Sequence, residues 1–110
     1  MRIGIVGGIE RGWTNYERLA RDHGHEVEFH GGHMHGRGQE TLESLVQRVD
    51  LVVIVTQINS HGAVQQARRL ARRYERRELI VRSLGMAKFG GLIAACDAQV
   101  ARQGRMAAAG

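Results

Sequence analysis

Apolar and polar positions along this chain fall into four strand-then-helix units with no proline and no low-complexity linker between them. Ile3 to Val6 is an apolar run closed by Gly7-Gly8, the pattern of a strand buried on both faces. Thr14-Asn15-Tyr16-Glu17 has the form of a capping box opening the first helix, and Gly24 offers its left-handed stop. Tyr16, Leu19 and Ala20 then face the sheet. Glu26 to His30 alternates polar with apolar, whereas Leu51 to Val55 is continuously apolar. The contrast marks the second strand as an edge and the third as central. Leu42, Leu45, Val46 and Val49 recur with helical spacing. Asn59 or Ser60 can cap a third helix whose stripe is Val64, Ala67, Leu70, Ala71 and Tyr74. A fourth strand is expected over Leu79 to Leu84. The last helix carries Phe89, Leu92, Ile93, Cys96 and Val100 on one face, after which the pattern lapses.

Strands alternating with helices over short connections predict a parallel sheet with right-handed crossovers and helices on both faces. The expected fold is a small doubly wound, Rossmann-like or flavodoxin-like α/β domain of about four strands in the order 2-1-3-4, covering 1–102, with 103–110 as a frayed tail. In such sheets ligands bind outside the carboxyl ends of the strands, beside the point where strand order reverses. Here that point lies between strands one and three.

The chain has 110 residues and a formal charge of +5. Its sixteen cationic residues are all arginine except Lys88, a bias that does not by itself indicate nucleic acid. The five aromatic side chains are scattered, not interleaved with arginine as a base-stacking platform requires. Arg68-Arg69, Arg72-Arg73 and Arg76-Arg77 read as the solvated flank of the third helix, offset in part by Glu75 and Glu78. Nucleic acid and membrane are therefore not expected partners. The single Cys96 excludes an internal disulfide framework, and the apolar run after Met1 is too short for a signal or a span, so a cytoplasmic setting is expected. A domain this small gains from self-association, and a homodimer or larger homo-oligomer is the expected state.

Candidate chemistry concentrates where the topology places the rim. Phe29 to Gly38 holds His30, His33 and His35, three of the six histidines, and imidazole is the commonest protein metal ligand. The other rim loops are Gly7 to Arg11, Thr56 to His61 and Ser83 to Met86. With strand one between strands two and three, His30 and His61 start about two strand spacings apart, roughly 10 Å. Gly7 and Gly8 form a floor between them with no side chain to block a ligand. Asn59, Ser60 and the first amides of the third helix offer an anion seat. The glycine run is not Gly-x-Gly-x-x-Gly, and His30 stands where a dinucleotide fold places an acid, so NAD is disfavoured. Ser60 and His61 are helical neighbours that diverge, no nucleophile elbow surrounds the serine, and Cys96 lies on a core stripe, so the reading leans away from an enzyme.

Gly-Gly after strand one, His-Gly-Gly after strand two, Asp50-Leu51-Val52 opening strand three and Ser60-His61 opening the third helix resemble the bacterial family catalogued as domain of unknown function 2325. The resemblance runs from about Met1 to Ile93. It implies a small doubly wound domain and brings an association with haem. His30, Ser60 and His61 fall on the family pattern, while His33, Met34 and His35 stand outside it.

The sequence thus predicts a non-enzymatic domain binding a small molecule for sensing, storage or transfer, with haem as first expectation. His30 or His61 would be the axial ligand, Met34 or Met86 a second, and Arg11, Arg37 or Arg82 partners for propionates. A divalent ion such as zinc held by His30, His33, His35 or His61 is one alternative, and a phosphate- or nucleotide-binding regulatory module is another.

Overall fold

The computed structural model describes residues 1–8, 12–34, 36–57 and 59–109, with side chains as far as Gln103. The elements run β1 (Arg2–Val6), α1 (Trp13–Asp22), β2 (Glu26–His30), α2 (Gly38–Arg48), β3 (Leu51–Val55), α3 (His61–Arg73), β4 (Arg77–Val81) and α4 (Met86–Ala109). The strands form one parallel sheet in the order β2-β1-β3-β4, the doubly wound arrangement expected from the pattern.

The pleat divides the apolar residues between two layers. Val6, Val52 and Ile54 face Leu42, Leu45 and Val46 of α2 and Ala67, Leu70 and Ala71 of α3. Ile3, Ile5, Val53 and Val55 face Ala20 of α1 and Phe89, Ile93 and Cys96 of α4. Both faces of β1 and β3 are covered, which is why these strands read as unbroken apolar runs. Gly4 belongs to the first layer, where a β-carbon would run into the side chains of Leu45 and Val49, so only glycine lets α2 approach β1 this closely.

Four local expectations change. Helix α1 begins at Trp13 behind Gly12, which sits at φ 81°, and makes no side-chain cap. The left-handed glycine turns the chain two residues early, so Thr14 lies inside the first turn instead of capping it. Gly24 does close α1, at φ 79°, with the His25 amide donating to Ala20 at 2.8 Å. Strand β4 starts two residues before the expected Leu79 and ends at Val81. An edge ladder is made by backbone groups, so Arg77 and Glu78 pair with Leu51 and Val52 despite their charge. Val100 is exposed, because α4 has by then run past the sheet. Finally, helical backbone continues through Ala109, across the segment the pattern leaves as a tail.

Candidate functional site

The carboxyl rim is organised by hydrogen bonds that the chain makes to itself. Asn59 Nδ2 donates to Val55 O at 2.8 Å and to Val6 O at 3.4 Å, tying together the ends of β3 and β1 where the strand order reverses. Its amide packs against Gly7 and Gly32, and a β-carbon on either glycine would collide with it. Ser60 accepts from the Ala63 amide at 3.1 Å, capping α3, and donates to Gly32 O at 2.8 Å. The Asn59 amide nitrogen and the Ser60 hydroxyl, expected to help seat an anion, are thus engaged with the protein's own backbone.

His30 is committed in the same way. The Gly32 amide donates to Nδ1 at 3.1 Å, which requires a lone pair there and places the proton on Nε2. That proton meets Gly38 O at 2.9 Å, with Thr41 Oγ1 at 3.0 Å. Burial pushes the His30 pKa below its ordinary value, more than the bond to the Gly38 carbonyl pulls it up, and nearby His33 lowers it further. The His33 ring stacks on His30 with centroids 4.7 Å apart. His61 is exposed at the start of α3, with Nε2 3.0 Å from the Gln65 amide nitrogen. His35 and Arg11 lie outside the described residues. Arg37 is exposed at the start of α2, and Met86 is exposed at the start of α4. Among the described residues no group of three His, Cys, Asp or Glu side chains is arranged to hold a metal ion. With the Gly32 amide on Nδ1 and the Nε2 proton on Gly38 O, His30 has no free lone pair for a metal in this arrangement.

A cavity exists at the rim, but on the other face of the sheet. His30 pairs in register with Val6, whose side chain points toward α2 and α3, whereas Phe29 pairs with Ile5 on the α1 and α4 face. On that second face a crevice of about 330 Å³ opens over the ends of the strands. Its floor is Gly7, Gly8, Ile5 and Val55, and its aromatic wall is Trp13, Tyr16 and Phe29. Gln57 and the loop Ser83 to Gly85 close the far side.

Local geometry sets each wall. Trp13 stacks on Phe29 with centroids 4.3 Å apart and planes 12° from parallel, and Tyr16 meets Phe29 edge-on at 6.1 Å. Tyr16 donates to Leu84 O at 2.7 Å, fastening α1 to the loop before α4. The β3–β4 ladder runs on past the strands, with Gln57 N donating to Arg82 O at 2.9 Å. The side chains of Gln57 and Ser83 make no hydrogen bond to another described residue. Gly7 and Gly8 sit at φ 91° and 88°, conformations that other residues rarely adopt. They are the two predicted site residues that the structure places in the crevice. The sequence missed its walls: Trp13 precedes the expected helix start, and Gln57 and Ser83 were inside rim loops without any motif to single them out.

The sequence profile of a bacterial family described as uncharacterized protein conserved in bacteria, DUF2325, matches residues 2–96. This chain belongs to that family. The DUF2325 domain is similar to a UPF0751 protein of Desulfitobacterium hafniense strain DSM 10664 / DCB-2, 29% identical over 102 residues that cover 92% of this chain and 100% of the relative. A second UPF0751 protein, from D. hafniense strain Y51, is 30% identical over 79% of this chain and 85% of its own length. A UPF0751 protein of Bacillus anthracis is 31% identical over 64% of this chain and 71% of its own. No solved structure matches the domain significantly. Among the described residues no helix is long and apolar enough to cross a membrane.

Proposed function

We propose that this DUF2325 domain is a non-enzymatic receptor for a small, flat, largely apolar molecule, used for sensing, storage or transfer. The observation that carries this reading is the crevice of about 330 Å³ at the switch point, walled by Trp13, Tyr16 and Phe29 over a glycine floor. Its volume lies within the range of small-molecule sites, on the order of 300–1,000 Å³. No charged side chain is among its described lining residues, which matches a ligand whose buried part is neutral.

The test uses Trp13, the only tryptophan in the chain, as its own reporter. Acridine should quench its emission saturably, indole and acridine should both give a saturable heat of binding and raise the melting temperature, and Leu84→Trp, chosen to fill the crevice, should abolish the heat of binding in calorimetry. Failure of both compounds to bind, with Leu84→Trp indistinguishable from wild type, overturns the reading. Hemin belongs in the same titration as the flat ligand the histidines first suggest. A Soret band lost in Trp13→Ala would place haem in the crevice, and one lost in His30→Ala or His61→Ala would place it at those rings.

Self-association is part of the proposal. Leu79 and Ile80 of edge strand β4 are 39% and 43% exposed and point to opposite faces of the sheet. Parallel strands are ordinarily covered on both faces, and a second copy astride this edge covers both at once.

A further inference from the structure

The crevice has a polar side as well as a flat one, and the two together narrow the ligand class. Its volume of about 330 Å³ accommodates about eleven atoms of water size at roughly 30 Å³ each. That suits two or three fused rings, and a porphyrin would enter only by one edge. Trp13 and Phe29 stack face to face at 4.3 Å, which holds the indole rigid and leaves the outer faces and edges of the pair for a ligand, where aromatic rings gain more than their apolar area alone.

Across from that wall stand Gln57 and Ser83. The backbone bonds from Thr56 N to Val81 O and from Gln57 N to Arg82 O, each 2.9 Å, hold the ends of these two segments side by side. An amide and a hydroxyl each carry donors and acceptors, and neither side chain makes a hydrogen bond to another described residue. Gln57 is exposed and Ser83 half-buried, so a ring with adjacent donor and acceptor atoms would pair with both, whereas one without polar atoms would gain nothing from either. With no charge among the described lining residues, the matching group is neutral.

We infer that the crevice takes a neutral purine-sized nitrogen heteroaromatic, its rings against Trp13 and Phe29 and its donor-acceptor edge read by Gln57 and Ser83. The side-chain amide of glutamine suits such an edge because it can donate and accept at once, the geometry by which Gln pairs bidentately with adenine. The inference rests on the crevice being the ligand site, as proposed above.

The experiment titrates the purified full chain with adenine and with indole, which has similar size but lacks the acceptor edge. Calorimetry is the readout for both compounds, Trp13 emission a second one for adenine, and circular dichroism checks that each variant is folded. Adenine should bind at least tenfold more tightly than indole. In Gln57→Leu adenine should weaken about tenfold or more, as expected for the loss of a paired polar contact, while indole is unaffected. Ser83→Ala should act in the same direction. Equal affinities for the two compounds, or adenine binding indifferent to both substitutions, overturn the assignment of a donor-acceptor edge while leaving the crevice as the ligand site. Indole binding without adenine binding does the same. If neither compound binds, this inference falls, and the loss of acridine binding as well takes the receptor reading with it.

Discussion

At the scale of single residues, the rim is governed by what each backbone and ring is already committed to. Gly7 and Gly8 are neighbours with nearly the same φ, yet a β-carbon on Gly7 would lie 2.7 Å from Val55 O and press into Asn59, while one on Gly8 meets only Val55 Cγ1 at 3.9 Å. Gly8→Ala should therefore cost about 1–2 kcal/mol of left-handed strain, and Gly7→Ala distinctly more. Urea denaturation measures both, and equal costs would contradict the close approach of Asn59. His30 adds a dependence on pH. Because burial lowers its folded pKa, the unfolded chain binds the proton more readily. Its contribution to stability is full above the unfolded value of about 6.5 and is lost as pH falls through the lower folded one. His30→Gln should be less stable than wild type near neutrality but show a flatter decline between about pH 7 and pH 5 in urea titrations. The sequence made His30 conspicuous as a ligand. What it could not show was that Gly32, Gly38 and Thr41 would converge on both ring nitrogens, since those partners meet only after the loop folds back.

At the scale of elements, what was legible followed from periodicity and what was not followed from backbone geometry. The alternating Glu26 to His30 and the continuous Leu51 to Val55 identified an edge and a centre, because side-chain burial is written directly into residue type. The start of α1 and the bounds of β4 were not legible, since a left-handed Gly12 and a ladder through Arg77 and Glu78 depend on backbone groups common to all residues. Those two shifts matter for the site. Ending β4 at Val81 releases Ser83 to Gly85 to line the crevice, and starting α1 at Trp13 brings the indole onto Phe29. Ser60 was legible as a cap, though not its second bond to Gly32. Ser60→Ala should cost about 1 kcal/mol from the lost cap, with a further loss from the unpaired Gly32 carbonyl. Hydrogen exchange should then quicken at the first turn of α3 and also in the loop after β2. Acceleration confined to α3 would show that the Gly32 contact does not hold that loop.

At the scale of the whole molecule, the four strands leave β4 paired with β3 on one side only and without full cover. β2, at the other edge, has α1 packed on one face and α2 on the other. Strand β4 ends the sheet with Leu79 directed to the α1 and α4 face and Ile80 to the α2 and α3 face, both exposed. Covering only one face would leave the other residue in water. A symmetric partner that extends or straddles the edge covers both, and two-fold pairing is the commonest route by which small domains do so. A contact of β4 with β4 uses the one free edge of that strand in each copy, so the pairing closes at two. The expected species by light scattering is therefore a discrete dimer, not a filament. Ile80→Lys should convert it to a monomer with its fold retained by circular dichroism, and Val100→Lys, on the exposed end of α4, should leave the dimer intact. A monomeric wild-type chain, or dissociation by Val100→Lys and not by Ile80→Lys, would move the interface away from β4. Because the crevice is closed on one side by the loop that follows β4, dimerisation would also steady Ser83 to Gly85, and Ile80→Lys should weaken ligand binding several-fold without touching the crevice itself.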